Sequence, residues 1–283
     1  MKIIETISAM QSAADEIRLS RKTIGVVPTM GYLHKGHLSL IKVARENADI
    51  VIVTIFVNPT QFAPHEDFNS YPRDISRDTQ LAEMAGVDIL FIPSSNEMYP
   101  SDFLTTINVK HLESKLEGES RPGHFQGVAT IVAILFNITK PHVAIFGQKD
   151  AQQAIVIKRM VQDLNFDIKI IVAPTVRESD GLAMSSRNTY LSPIERSESA
   201  VLFAALKEAE YLIKNGMKNC LTIKENMSKL ILSKKSAAID YISIANPITL
   251  DEYEILEKSQ LVLISLAVRL GKTRLIDNIL INI

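Results

Sequence analysis

The chain has one cysteine, Cys220, in 283 residues, which excludes an intramolecular disulfide. Asn219 and Leu221 flank it without any redox or metal-ligand motif, so Cys220 is expected to be a small buried or half-buried residue. Long apolar runs are also missing. The stretches 51–53 and 55–57, around Thr54, are strand-sized and far short of the roughly 20 residues that span a bilayer. The opening MKIIETISAMQSAADEI lacks the apolar core and small-residue cleavage site of a signal peptide, and a cytoplasmic location is expected. Neither charge sign dominates: 31 basic residues face 32 acidic ones, a net charge of −1. That balance gives no large field to attract nucleic acid or an anionic membrane, and neither is expected as a partner. Internal repeats and low-complexity segments are absent. No Ser/His/Asp motif supplies a nucleophile for a covalent acyl-enzyme, so any chemistry must rest on positioning and charge stabilisation.

What is there is an alternation of strand and helix patterns. Hydrophobic residues make up 46% and charged residues 22%, ordinary for a globular enzyme with a sizeable core. After an amphipathic helix over 7–19, β-branched apolar runs occupy 23–27, 50–57, 87–92, 143–146 and 168–172. Helical periodicity fills 38–48, 75–85, 127–138 and 152–164. Near-continuous apolar strands separated by helices predict an α/β fold with a doubly wound parallel sheet over residues 1–175. From about 176 to 283 the text is shorter and more mixed. A helical run from Ser192-Pro193 to about Lys214, a helix over 222–233 and strands over 239–245 and 260–268 predict a smaller α+β domain, expected to close over the site.

Ligands of doubly wound sheets bind beyond the carboxyl ends of the strands, so the residues after each strand carry the functional signal. The first strand is followed by PTMGYLHKGH, residues 28–37. Gly31 and Gly36 allow a tight turn and close approach of a ligand. His34 and His37 fall at a helix start, where unsatisfied N–H groups and the helix dipole favour an anion, with a nucleotide phosphate the natural occupant; the alternative is a structural turn with two incidental histidines. A metal site on this pair lacks the glutamate of a zincin helix. The second strand is followed by Asn58 and Gln61, and the strand ending at Phe146 by Gly147, Gln148, Lys149 and Asp150, with Gln152 and Gln153 next. Gln61 and Gln153 are neutral amides able to hydrogen-bond a small hydroxy acid. Lys149 with Asp150 reads alone as an exposed ion pair, or by position as a phosphate ligand beside a ribose ligand.

Met184-Ser185-Ser186-Arg187 offers two hydroxyls and a permanent cation suited to a triphosphate, or forms a polar surface loop. Asp74 and Asp78, at i and i+4, either help hold Mg²⁺ or belong to a helix start. Residues 121–127, RPGHFQG, precede an apolar helix and are expected to form a mobile or substrate-facing loop.

These strings carry a resemblance. His34, Lys35, Gly36 and His37 fill the four places of the HIGH motif of the nucleotidyltransferase superfamily. PTMG-x-LH-x-GH, FVNP-x-QF, RPGHF-x-G, FG-x-KD-x-QQ and VRE-x-DGLAMSSRN, in that order over about the first 190 residues, resemble the pantothenate synthetase family. The MSSR stretch departs from the KMSKS signature, with Ser186 and Arg187 replacing its second lysine and last serine, which sets the chain apart from aminoacyl-tRNA synthetases.

The resemblance implies a Rossmann-like fold and an ATP-dependent ligase that joins (R)-pantoate to β-alanine through pantoyl adenylate, releasing AMP and pyrophosphate. It implies Mg²⁺ with ATP as substrate, no organic cofactor, and a homodimer. Residue by residue, it places Met30, Gly31, Tyr32, Leu33, His34, Lys35, Gly36 and His37 at ATP, with Gly147, Gln148, Lys149 and Asp150. Val176, Met184, Ser185, Ser186 and Arg187 complete that set. Gln61, Gln153 and Asn58 take pantoate and β-alanine, and His37, His34, Lys149 and Arg187 act in catalysis, with His37 the proton donor. Asp78 is the candidate Mg²⁺ ligand. A nucleotidylyltransferase that keeps the nucleotide on its product, and a non-catalytic nucleotide sensor, are the competing readings; the amide-lined acceptor site disfavours the first.

Overall fold

The computed structural model describes residues 1–63 and 66–283, and the chain divides into two compact units. One comprises residues 1–114, 121–148 and 152–174; the other comprises 115–120, 149–151 and 175–283. Two short internal segments thus belong with the carboxy-terminal unit, which a single cut at residue 175 does not convey.

The first unit runs β1 (Lys2–Ile4), α1 (Ile7–Leu19), β2 (Ile24–Thr29), α2 (Lys35–Asn47), β3 (Ile50–Ile55), α3 (Ile75–Met84), β4 (Ile89–Phe91) and α4 (Ser95–Met98). After α5 (Glu117–Ser120), which belongs to the other unit, come α6 (His124–Thr139), β5 (Val143–Gly147), α7 (Ala151–Asp163) and β6 (Lys169–Ala173). The six strands are all parallel, in the order β1-β4-β3-β2-β5-β6. Side chains alternate across the sheet: Val27, Val51, Val53 and Ile55 join the core under α2 and α3 with Ile41, Ala44 and Ala82. Helices α1 and α6 pack on each other and on β2. Helix α6 is apolar nearly all round, which fits its burial. The predicted doubly wound sheet is therefore present, and β2 and β5 are neighbours at the point where the strand order reverses.

His142, just before β5, accepts a hydrogen bond at Nδ1 from the Ile24 amide, 2.9 Å away. Burial, with Arg18 nearby, holds its pKa below the ordinary 6.5. The unfolded chain therefore binds this proton more readily than the folded one. Stability from His142 is complete above about pH 6.5 and falls as pH drops below it. Urea midpoints compared at pH 7.5 and 5.5 should show a smaller drop for H142Q than for the parent; equal drops would remove His142 from the acid response.

The second unit holds α8 (Pro193–Glu198), α9 (Val201–Lys214), α10 (Cys220–Ile231), β7 (Ala237–Ala245), β8 (Leu261–Leu270) and β9 (Thr273–Asn282). β7, β8 and β9 form an antiparallel sheet with β8 central. Its core is built from Val262, Ile264, Leu266, Val268 and Leu270 of β8 with Leu206, Ile213, Ile223 and Met227 of α9 and α10. Cys220 is buried at the start of α10, as expected. The single helix expected over 193–214 is two helices, α8 and α9. β9 has no counterpart in the sequence reading, because buried Asp277 and Asn278 interrupt its apolar pattern.

Candidate functional site

The loop between β2 and α2 turns through two left-handed residues, Gly31 at φ 83° and Tyr32 at φ 50°. Glycine suits that conformation and tyrosine does not, so something must hold Tyr32 there. Asp78 of α3 does. Its carboxylate accepts the Tyr32 amide at 2.6 Å and the Leu33 amide at 2.7 Å, and the residue is fully buried. Burial pushes the Asp78 carboxyl pKa up, while the two amides and Arg77 oppose that shift. Both oxygens are thereby committed to main chain, a different position from that of a Mg²⁺ ligand. Asp74, its partner in the i, i+4 reading, caps α3 by accepting from the Arg77 amide at 3.0 Å. Among the described residues no group of three or more His, Cys, Asp or Glu is placed to hold a metal ion.

Leu33 is buried beneath the loop, and His34 is the N-cap of α2. His34 Nδ1 accepts from the Gly36 amide at 3.1 Å, and His37 Nδ1 accepts from the His34 amide at 3.3 Å. The two imidazole rings lie 4.1 Å apart. An Nδ1 that accepts carries no proton in the neutral ring, so these hydrogen bonds assign the proton of each histidine to Nε2. Two imidazole N–H donors thus stand at the positive end of a 13-residue helix. A cavity of about 250 Å³ adjoins the loop, lined in part by Met30, Gly31, Tyr32, Phe56, Arg73 and Asp78.

After β3 the chain makes a 3₁₀ turn, Pro59–Gln61. Gln61 is buried, and its Nε2 lies 2.9 Å from the sulfur of Met30. Asn58, expected at the substrate, is 1% exposed, and its amide serves the turn itself. Its Oδ1 accepts from the Thr60 amide and hydroxyl, and its Nδ2 donates to Gln61 Oε1 at 3.2 Å and to the Gly127 carbonyl at 3.1 Å. Asn58 therefore orients Gln61. The RPGHFQG stretch lies behind the same turn. Arg121 pairs with Glu66 at 2.5 Å and donates to the Gln61 carbonyl at 3.3 Å, and His124 Nδ1–H donates to that carbonyl at 2.8 Å. Gly147 ends β5, next to β2 in the sheet; Gln153 is half-buried on α7, while its neighbour Gln152 donates to the Leu112 carbonyl at 2.8 Å.

Gln148 still belongs to the first unit, while Lys149, Asp150, Val176 and residues 184–187 lie in the second. Lys149 Nζ is 3.2 Å from Asp150 Oδ1, the ion pair that its sequence position left open. Residues 176–184 form a hairpin: Arg177 bridges Ala183, and the Met184 amide donates to the Val176 carbonyl at 3.0 Å. Ser185 then caps the 3₁₀ helix Ser186–Tyr190 by accepting from the Arg187 amide at 3.3 Å. The charged residues of VRE-x-DGLAMSSRN hold this hairpin together. Glu178 accepts from Asn188 at 3.1 Å and from Arg196 at 2.6 Å, and Arg177 pairs with Asp277 at 2.5 Å. Asp277 and Asp78, which both support these loops, escaped the sequence reading in that role; the available signal was a carboxylate in an otherwise buried position.

Comparison with known proteins places this geometry. The sequence model described as pantoate-beta-alanine ligase matches residues 2–280. Curated pantothenate synthetases from Acetivibrio thermocellus and Thermotoga petrophila are 52% identical over 283 residues and 53% over 282, covering all of both chains in each case. A crystal structure of pantothenate synthetase from Thermus thermophilus superposes with a TM-score of 0.93 at 42% identity, covering 99% of each chain. That of the pantoate-beta-alanine ligase from Francisella tularensis, complexed with beta-gamma ATP and beta-alanine, gives 0.82 at 37% identity, covering 99% of this chain and 97% of that one.

Proposed function

Because the chain belongs to the pantoate–β-alanine ligase family, we propose from its own residues how it makes the amide bond. The reaction is the ATP-dependent condensation of (R)-pantoate with β-alanine to pantothenate. A carboxylate is a poor acceptor for an amine, so the pantoate carboxylate attacks the α-phosphorus of ATP and pyrophosphate leaves. The β-alanine amine then attacks the acyl carbon of pantoyl adenylate and AMP leaves.

The observation that carries the residue roles is the histidine pair. With both Nδ1 atoms accepting from main chain, His34 and His37 present Nε2–H at a helix amino terminus. In this reading they donate to phosphate oxygens, and His37 gives its proton to the charge developing on the leaving group. Main-chain groups around Gly147 and Val176 frame the adenosine, and the loop over residues 30–37 and residues 148–150 lie at ATP. Lys149, Ser185, Ser186 and Arg187 bind the β and γ phosphates, with Met184 beside the nucleotide. Gln61 and Gln153 hold pantoate, Gln61 also lying at β-alanine, with Asn58 acting through Gln61. Holding the two substrates together contributes about 7–11 kcal/mol towards the barrier.

Mg²⁺ belongs to the proposal as a companion of ATP, held by phosphate oxygens and water, since Asp78 spends both oxygens on amides. No described helix is long and apolar enough to cross a membrane. A cytoplasmic location, a homodimer and a carboxy-terminal domain whose main body begins after residue 175 are parts of the same reading; sedimentation at micromolar concentration tests the dimer.

The experiment is pyrophosphate release from ATP, Mg²⁺ and pantoate, with and without β-alanine, following AMP and new amide by mass spectrometry. Limited pyrophosphate without β-alanine and sustained AMP with pantothenate on its addition are expected. ATP binding without turnover would overturn the ligase reading.

A further inference from the structure

The last strand, β9, contributes no residue to the substrate roles above, yet two adjacent side chains on it reach two separate loops. β9 pairs with β8 along its whole length, from Leu261↔Asn282 to Leu270↔Thr273, so its residues are fixed in place. Neighbours on a strand point to opposite faces. Asp277 therefore reaches one way and Asn278 the other. The Asp277 carboxylate, 1% exposed, accepts from both terminal nitrogens of Arg177, at 2.5 and 3.0 Å. Arg177 Nη1 also donates to the Gly181 carbonyl at 3.1 Å, which fastens the hairpin leading into Ser185 and Arg187. Asn278 Nδ2 donates to the Lys149 carbonyl at 2.8 Å. The Asn278 amide in turn donates to Asp277 Oδ1 at 2.8 Å, joining the two arms.

We infer that Asp277 and Asn278 are positioning residues for ATP: one dipeptide on a rigid strand holds the main chain at Lys149 and the root of the hairpin carrying Ser185 to Arg187. The inference rests on the reading that these residues bind the nucleotide phosphates. A buried ion pair by itself is weak support for stability, since apolar replacements often serve as well. A bidentate guanidinium–carboxylate fork does fix direction, which a set of phosphate ligands requires. Burial pushes the Asp277 carboxyl pKa up against the pull of Arg177, the environment of a carboxylate held by its partner and not by water.

The test is a set of three variants, N278A, N278D and D277N, assayed well below their melting temperatures. N278D keeps the side-chain volume but sets a carboxyl beside Asp277, and N278A shows the loss of the hydrogen bond without that added group. For N278A and N278D the KM for ATP is expected to rise about tenfold, from loss of one buried hydrogen bond. The KM for pantoate should stay within about twofold, since Gln61 and Gln153 lie on other elements. D277N should slow pyrophosphate formation by a further factor of about ten, because it leaves Arg177 without its charge partner. ATP and pantoate KM values both at the parental level in folded N278D, or both raised equally, would overturn the inference. Failure of the underlying reading looks different: the parent itself would form no pyrophosphate from ATP and pantoate.

Discussion

Replacing His37 by alanine is expected to lower kcat/KM for pantothenate formation by about 10²- to 10⁴-fold, the range a positioned proton donor contributes. The loss should fall on one half of the reaction. Pyrophosphate formation from ATP and pantoate slows, while pantoyl adenylate supplied from outside reacts with β-alanine near the parental rate. The reason is the protonation geometry: His37 Nδ1 accepts from the His34 amide, so the proton a neutral His37 can give is the one on Nε2. Stability should change little. His37 contributes one long hydrogen bond to the helix start, and losing such a cap costs about 0.5–2 kcal/mol. H34A is the informative comparison. His34 is itself the N-cap, accepting from the Gly36 amide, so its removal should both slow adenylation and loosen the start of α2. A kcat/KM for H37A within threefold of the parent would remove His37 from the chemistry.

The parallel sheet was legible because buried strands between helices have to be apolar on both faces, and IVIVTI over β3 can hardly be anything else. The candidate site was legible for a related reason. Its residues sit directly after such strands, and the strand order reverses between β2 and β5, where two of the loops leave the sheet. The supports beneath those loops were not legible. Asp78 lies 46 residues from the Tyr32 amide it holds, and Asp277 lies 100 residues from Arg177. A carboxylate in a helix or strand looks like a solvated group until the fold shows which amide or guanidinium it meets. The same cause hid β9, whose buried Asp277 and Asn278 look like a turn in the text. Asn58 shows the converse. It occupies the expected position after β3, and only the hydrogen bonds show that its amide is spent on orienting Gln61.

Gly127, the last residue of the RPGHFQG string, connects packing to Gln61, the proposed pantoate ligand, and G127A should show it. On α6 a Cβ at this position would clash with the Thr60 carbonyl oxygen and lie 2.6 Å from the Thr60 carbonyl carbon and 2.8 Å from the Gln61 amide nitrogen. These are backbone atoms of the 3₁₀ turn, so no side chain can swing away; helix and turn must separate. Overpacking of this kind costs about 1–3 kcal/mol, and for a chain of this size each kcal/mol lowers Tm by about 2–4 °C. The turn is also tied to Gly127 through Asn58, whose Nδ2 bonds the Gly127 carbonyl and Gln61 Oε1 together. Moving the helix therefore moves the Gln61 amide. The expected result is a lowered Tm together with a KM for pantoate raised about tenfold or more, since misplacement by about 1 Å can cost 10²-fold. Q61A provides the control: it removes the amide without pushing on the backbone, so KM should rise while Tm changes little. A G127A protein with parental Tm and parental pantoate KM would mean that the turn can retreat without carrying Gln61, and the link from helix packing to substrate binding would fail.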